Sequence, residues 1–208
     1  MGTSSGGIRI VVINGSVRPG NYTRMASRLV VDELGKDPRV SVDLIDPGTL
    51  SLPQPGTDLD SPAARSLQTK VAEAAGVVLA TPEYHGSFSS AMKLVIENLG
   101  FPSTLAGKPV ALLGVAAGSI GAIKSLEHLR AVVSHVGGLA LPLPVSVANV
   151  QRVFDRDGNC LEPATEKLIR GLAANLLRYI RQNVCPRLTL ERILRDGIEN
   201  VPLDILAA

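Results

Sequence analysis

The chain has 208 residues, of which 45% are hydrophobic and 19% are charged. This length and composition indicate one globular domain, with little room for a second. The net charge is only +2 and the basic residues are spread along the chain, which argues against nucleic-acid binding. There is no signal-peptide pattern and no apolar stretch near the ~20 residues of a membrane helix, so we expect no membrane partner and a cytoplasmic location.

The predicted elements alternate between strands and helices. In chain order, hydrophobic periodicity predicts a strand at 8–13, a helix at 22–35, a strand at 40–46, a helix at 63–75, a strand at 76–81, a helix at 89–100, a strand at 108–116, a helix at 119–137, a strand at 139–147 and a helix at 165–184. Residues 1–7 are expected to be a flexible N-terminus. Residues 185–208 form a C-terminal extension, with a short helix expected at 189–196.

Five strands separated by helices predict an α/β fold. Right-handed crossovers between the strands then give a mostly parallel, doubly wound sheet over residues 8–184. Ligands of such sheets bind beyond the carboxyl ends of the strands. The loops at 14–23, 81–88 and 116–121 are therefore the places to look for a site.

The two cysteines, Cys160 and Cys185, match neither a metal-binding nor a redox spacing. We expect two reduced thiols, as is usual in a cytoplasmic protein, and no metal site.

The first loop lies in the stretch VVINGSVRPGNYTR (11–24). Gly15 and Gly20 have the spacing of a nucleotide-binding P-loop, but Asn21 and Tyr22 follow where that motif requires Lys and Ser or Thr. ATP and GTP are therefore disfavoured as ligands.

Small hydrogen-bond donors remain in this loop, at the predicted start of a helix. Ser16, Asn21 and Thr23, together with the guanidinium of Arg18, suit one terminal phosphate group. The alternative is a tight turn in which Asn21 merely caps the helix.

The second loop, in ATPEYHGSFSSAMK (80–93), carries two of the six aromatic residues of the chain. Tyr84 and Phe88 flank Gly86, which would let backbone amides approach a planar ligand. The alternative for both aromatics is packing in the core or at an interface. His85 is either part of this site or a surface histidine, and His128 and His135 are assigned no role.

Together the two loops describe a mononucleotide whose ring is not a simple base. FMN bound at the switch point of a sheet with strand order 2-1-3-4-5 is a known example.

At these residues the sequence resembles the NADPH-dependent FMN reductase family. GSVRPGNYTR (15–24) is similar to the phosphate loop of the family, and TPEYHGS (81–87) is similar to its second loop. AAGSIGA (116–122) resembles the glycine-rich third loop and LPQPG (52–56) is also similar to members. The resemblance covers about residues 8–150.

The resemblance implies a flavodoxin-like, five-stranded parallel sheet of order 2-1-3-4-5 with helices on both faces. It also implies the cofactor-binding residues, which are Ser16, Arg18, Asn21, Tyr22, Thr23, Pro82, Glu83, Tyr84, His85, Gly86, Ser87, Gly118 and Ser119.

The implied activity is an FMN-dependent NAD(P)H oxidoreductase, with NADPH or NADH as the donor. The implied acceptor is a quinone, chromate, an azo compound or free flavin, and the implied assembly is a homodimer or homotetramer. No catalytic residue is predicted, because the flavin carries the chemistry. Two alternatives remain: a flavodoxin-like electron carrier without NAD(P)H activity, and a module that binds another phosphorylated ligand.

Overall fold

A computed structural model describes residues 7–58 and 60–196 of the chain. The predicted flexible N-terminus, apart from Gly7, and residues 197–208 of the predicted extension lie outside the described residues. The strands are β1 (Ile8–Asn14), β2 (Val40–Ile45), β3 (Gly76–Tyr84), β4 (Ser87–Phe88), β5 (Pro109–Val115), β6 (Leu139–Ala140) and β7 (Val145–Val147). The helices are α1 (Tyr22–Leu34), α2 (Pro62–Glu73), α3 (Ser90–Glu97), α4 (Ile123–His135), α5 (Val150–Val153), α6 (Pro163–Tyr179) and α7 (Cys185–Asp196).

The sheet has the order β2-β1-β3-β5-β6, with β7 also paired to β5. All these pairings are parallel, and β4 alone pairs antiparallel, with β3. The predicted α/β class and the 2-1-3-4-5 order are confirmed. The predicted count of five strands is wrong, because β4 adds a short hairpin strand and the last predicted strand divides into β6 and β7.

That division has a local cause. Pro142 and Pro144 cannot donate a backbone hydrogen bond to a neighbouring strand, and Leu143 between them has a positive φ of 62°. The chain therefore leaves the sheet after Ala140 and returns to it at Val145.

The central strand β1 is buried on both faces, as its continuous apolar sequence predicts. Ile10 and Val12 pack in a cluster with α1, α5 and α6. Val11 and Ile13 pack on the opposite face in a cluster with α2, α3 and α4. Both clusters end at the carboxyl edge of the sheet, so the loops that leave this edge start from fixed positions.

Helix α4 begins at Ile123 and not at 119 as predicted. Gly121 has a φ of +79°, which is not helical, and its backbone N–H donates to the carbonyl of Gly118. An added Cβ at position 121 would lie 2.4 Å from Ser146 Oγ, so this tight turn requires glycine.

The helix at the C-terminal end of the domain is longer than predicted. A π-helical turn (Ile180–Val184) joins α6 to α7, and the backbone N–H of Cys185 donates to the carbonyl of Ile180. Proline lacks the N–H that a helix interior uses, and the wider turn ends two residues before Pro186. Helix α7 leaves Leu188, Leu190 and Leu194 exposed.

An ionic cluster joins α1 to α6. The Arg170 guanidinium contacts carboxylates of Asp32, Glu33 and Glu166. The hydrogen bond from Arg170 holds the pKa of Asp32 below its ordinary value. A hydrogen bond from Lys36, assisted by Arg170, does the same for the pKa of Glu33.

Replacing Arg170 with methionine, which keeps the aliphatic packing, is expected to lower stability at pH 7 by about 1 kcal/mol. Carboxylates with lowered pKa values stabilise the fold above their unfolded pKa, near 4, and this contribution disappears as the pH falls through their folded pKa. The loss caused by Arg170→Met, measured by urea unfolding, should therefore be smaller at pH 3 than at pH 7. Lys167→Met, at a neighbouring exposed position of α6, is the control. An equal decrease in the free energy of unfolding at both pH values would show that the effect of Arg170→Met comes from packing.

Candidate functional site

A cleft of about 640 Å³ lies at the carboxyl edge of the sheet. Loops after β1, β3 and β5 form its walls, as expected for a doubly wound sheet. Its volume is within the range of small-molecule sites. The residues that line it are Ser16, Arg18, Pro19, Gly20, Asn21, Tyr22, Thr23, Pro82, Glu83, Tyr84, Val115, Ala116, Ala117 and Val150.

Asn21 organises the first loop. Its Oδ1 accepts from the backbone N–H of Arg24 at 2.8 Å and so caps α1. Its Nδ2 donates to the carbonyl of Arg18 at 2.6 Å and to that of Ser16 at 3.3 Å. These bonds turn the two carbonyl groups toward Asn21. The loop thus closes over the start of α1, where the free helix N–H groups and the helix dipole favour an anion.

The base of the same loop is fixed to its neighbours. The Gly15 backbone N–H donates to the carbonyl of Ala80 in β3 at 2.6 Å. The carbonyl of Gly15 accepts from the hydroxyl of Ser89, which also caps α3. An added Cβ at Gly15 would lie 2.8 Å from the Ala80 oxygen, so the close approach of the two strands depends on glycine.

Asn14 lies beneath the loop and is fully buried. Its Nδ2 donates to the carbonyl of Ser16 at 2.8 Å, which adds a second bond to that carbonyl. Its Oδ1 has no partner among the described residues. Asn14 therefore supports the first loop from inside, a role that the sequence did not suggest.

Tyr84 brings the second loop against the first. Its hydroxyl lies 3.5 Å from Ser16 Oγ, and the Arg18 guanidinium lies 5.3 Å from the centroid of its ring. The second distance is that of a cation–π contact. Arg18 and Tyr84 are both exposed to solvent and stand at the mouth of the cleft.

The second loop is a β-hairpin. Glu83 and Tyr84 of β3 pair with Phe88 and Ser87 of β4. The two residues of the turn, His85 and Gly86, both have positive φ values (50° and 74°), which is typical of a tight type I′ turn. Phe88 does not face the cleft region but packs against the core cluster of α2, α3 and α4.

The third loop is held by β7 and α5. The backbone N–H of Ala116 donates to the carbonyl of Val147, and the carbonyl of Ala116 accepts from Val150. The carbonyl of Ala117 accepts from the side chain of Gln151. The apolar side of the cleft therefore consists of small residues on a firmly bonded backbone.

The model of the NADPH-dependent FMN reductase family matches residues 8–152, which is most of the described chain. The chain belongs to this family. The predicted family membership is confirmed. At the level of the family, the predicted oxidoreductase activity and the use of FMN and NAD(P)H are confirmed as well.

Curated relatives agree with this family. The chain is 31% identical over 175 residues to an NADPH azoreductase of Bacillus sp. (strain OY1-2), covering 83% of this chain and 94% of that protein. It is 26% identical over 179 residues to a 2-hydroxy-1,4-benzoquinone reductase of Burkholderia sp., covering 84% and 97%.

Solved structures support the fold. The flavoenzyme FerB of Paracoccus denitrificans, an NAD(P)H:(acceptor) oxidoreductase, superposes with a TM-score of 0.70 at 22% identity, covering 84% of this chain and 98% of that one. An archaeal flavodoxin gives a TM-score of 0.58 at 11% identity, covering 84% and 99%. These likenesses show a flavodoxin-like fold.

In this FMN reductase family member, the structure brings together eight of the thirteen predicted cofactor-binding residues along the cleft. These are Ser16, Arg18, Asn21, Tyr22, Thr23, Pro82, Glu83 and Tyr84. The other five do not line it, and they are His85, Gly86, Ser87, Gly118 and Ser119. Cofactor binding by each of the thirteen remains a prediction.

Two apolar residues of the lining were not predicted. Val115 ends a buried strand and carried no polar signal, and Val150 comes from the short helix α5, which was not predicted. The position of Val115 directly before the predicted site loop at 116–121 was the only available signal for it.

Within residues 7–58 and 60–196, no helix is long and apolar enough to cross a membrane. The same residues contain no group of three or more His, Cys, Asp and Glu side chains that could hold a metal ion. Both cysteines are free thiols.

Proposed function

We propose that the cleft binds FMN, and that the protein uses NADPH or NADH to reduce a small acceptor such as a quinone or an azo compound. The observation that carries this proposal is the contact of Tyr84 with Arg18 and Ser16, because it joins an anion-binding loop and an aromatic hairpin in one cleft. The acceptor class follows from the names of the two curated relatives. Chromate and free flavin are further candidate acceptors.

The phosphate end of the cleft fits the proposed cofactor. Ser16 in the first loop and Thr23 in the first turn of α1 are both buried, and both line the cleft. Arg18 is an exposed cation on the same loop and supplies a planar fork of donors that suits a phosphate. The loop thus offers donors and positive charge on one side, as a terminal phosphate requires.

The part of the cleft that is proposed to hold the ring system also fits FMN. Pro82, Val115, Ala116 and Val150 give an apolar surface without long side chains. Tyr84 adds an aromatic face at the mouth. We propose that the flat ring system lies between this surface and the hairpin, with the backbone of residues 85–87 and of Gly118–Ser119 along its edges.

FMN, when bound, supplies both the hydride acceptor and the electron donor of the reaction. The protein then has to bind and orient the FMN, and it has to leave one face of the ring open. Consistent with this, the residues that line the cleft include no His or Cys, and the Glu83 carboxylate accepts a hydrogen bond from the backbone of Ser125. We therefore assign no general acid or base.

An absorbance experiment tests the proposal. Purified protein is scanned from 300 to 550 nm with and without added FMN, and NADPH or NADH is then added anaerobically. We expect a bound-flavin spectrum that bleaches with a nicotinamide donor and recovers with a quinone. A bound flavin that neither donor bleaches would favour an electron carrier, although the sequence pI of about 8.7 is unlike that of the typically acidic flavodoxins. Absence of FMN binding would favour another phosphorylated ligand.

Tyr84→Ala is expected to weaken FMN binding by about 3- to 10-fold, because it removes an aromatic face and the support of Arg18. Tyr84→Phe keeps the ring and loses only a hydroxyl contact of 3.5 Å, so its affinity should stay near wild type. Both are measured by quenching of FMN fluorescence. Wild-type affinity and reduction kinetics for Tyr84→Ala would leave Tyr84 as a packing residue.

We further propose a cytoplasmic homodimer or homotetramer. Phe101 and three leucines of α7 are large apolar side chains exposed to solvent, and such exposure supports self-association. Two free thiols support a reducing compartment. Light scattering during gel filtration tests the assembly, and a monomer at all concentrations would contradict it.

A further inference from the structure

The tip of the hairpin of β3 and β4 extends beyond the last parallel pair of β3, Pro82 with Val115. Its ladder consists of two residue pairs, Glu83 with Phe88 and Tyr84 with Ser87. Isolated two-stranded hairpins are marginal in water, and this one is very short. In addition, His85 has a φ of +50°, an uncommon conformation for a residue with a Cβ although the type I′ turn requires it. The conformation must therefore be stabilised from outside the hairpin.

Helix α4 provides this stabilisation through the first strand. Glu83 Oε2 accepts from the backbone N–H of Ser125 at 3.0 Å, in the first turn of α4. The residue at the N-cap of α4, Ala122, has no side-chain cap bond. The Glu83 carboxylate thus takes the place of a cap, where a negative charge is also favoured by the helix dipole.

A second bond connects α4 to the other strand. Ser87 Oγ lies 3.0 Å from His128 Nδ1. His128 follows Ser125 by three residues, so both bonds come from the first turns of α4. Lys124, four residues before His128, has its side chain 3.6 Å from the position of an added Cβ on Gly86. The first turns of α4 therefore contact both strands and the turn of the hairpin, while Phe88 in the core and the bond of Ser89 to Gly15 hold its far end.

We propose that His128 is a positioning residue for the cofactor: through Ser87 it holds the hairpin on α4 and thereby fixes Tyr84 and the turn backbone at the mouth of the cleft. This inference rests on the proposed function for its ligand. His128 was assigned no role from the sequence, because it lies in a predicted helix, 41 residues away from Ser87. The hydrogen bond between His128 and Ser87 connects a side chain of α4 directly to a side chain of β4.

The test uses His128→Ala, with His128→Asn as the rescue variant, because an asparagine side chain has a polar atom near the position of the imidazole Nδ1. We expect His128→Ala to weaken FMN binding by about 3- to 10-fold, the range for one hydrogen bond. His128→Asn should restore most of the affinity. The visible circular dichroism of bound FMN should also decrease in His128→Ala, since this signal depends on a fixed surrounding of the ring. Glu127→Ala, at the adjacent exposed position of α4, is the matched control.

A double-mutant cycle separates positioning from direct contact. If Ser87 acts through its bond to His128, the variant Ser87→Ala/His128→Ala should bind FMN about as well as the weaker single variant. Effects that multiply would show that the two residues act independently, which would overturn the proposal. Wild-type affinity and dichroism in His128→Ala would also overturn it.

Hydrogen exchange of the ligand-free protein gives a readout that does not need FMN. Amides of residues 84–87 should exchange faster in His128→Ala than in wild type or Glu127→Ala, with an unchanged rate in the core strands. Unchanged exchange of the hairpin would overturn the proposal. Failure of the wild type itself to bind FMN would overturn the proposed function. The hydrogen-exchange measurement on the ligand-free protein would still decide whether His128 holds the hairpin.

Discussion

Replacing Arg18 with alanine is expected to weaken FMN binding by about 1.5–3 kcal/mol, the cost of losing a hydrogen bond between charged groups. This corresponds to a loss of affinity of roughly 10- to 150-fold. Arg18 lies on the loop that closes over the start of α1, with its guanidinium 5.3 Å from the Tyr84 ring centroid. It is thus held beside the cleft and ready to meet a phosphate.

Riboflavin distinguishes a phosphate contact from a ring contact. It lacks the phosphate, so its affinity should be nearly the same in wild type and Arg18→Ala. Both ligands are titrated by flavin fluorescence at two salt concentrations, and the FMN affinity of the wild type should show the stronger salt dependence. Arg28→Ala removes the same charge from an exposed position of α1 that does not line the cleft, and it is the control. An unchanged FMN titration would remove Arg18 from the phosphate site.

Replacing Gly15 with alanine is expected to destabilise the fold by about 1–3 kcal/mol, the usual cost of overpacking a filled interior. The new Cβ would lie 2.8 Å from the carbonyl oxygen of Ala80 and 3.0 Å from Met92 Cε. Met92 is fully buried, and the Ala80 carbonyl belongs to a central strand, so neither can move easily. The first loop must shift instead, and FMN binding should fall together with stability.

Thermal and urea unfolding measure this effect. For a chain of this size, 1–3 kcal/mol corresponds to a lowering of the Tm by about 3–10 °C. Gly171→Ala is the matched control, because an added Cβ in α6 meets no atom within 4 Å. Alanine is the better helix former, so the control should gain roughly 0.5–1 kcal/mol. A Tm of Gly15→Ala equal to that of wild type would show that the loop adapts without strain.

The sequence predicted the central elements closely, and the reason is local. The strand at 8–13 was observed as β1 (Ile8–Asn14), since a run of β-branched residues suits a strand that is buried on both faces. The helix at 22–35 was observed as α1 (Tyr22–Leu34), with Asn21 as its cap. The ends of α2 and α3 shifted by only a few residues.

Other elements depend on contacts between distant segments and could not be predicted. The hairpin of β3 and β4 bonds to α4, and α5 lies where the backbone of the third loop bonds to β7 and Val150. The π-helical turn joins α6 to α7, so the helix continues past residue 184, where the predicted helix ended. In each case the local sequence favours no single conformation.

The sequence by itself determined which loops carry hydrogen-bond donors and positive charge for an anion. These properties belong to the individual glycine, arginine and helix-cap residues and do not depend on distant contacts. It also determined the order of strands and helices, through hydrophobic periodicity. Only the tertiary structure decided that Tyr84 contacts Arg18 and Ser16, that Phe88 packs inward, and that Val150 completes the cleft. These contacts join residues far apart in the chain, and their geometry is fixed by the packing of helices on both faces of the sheet.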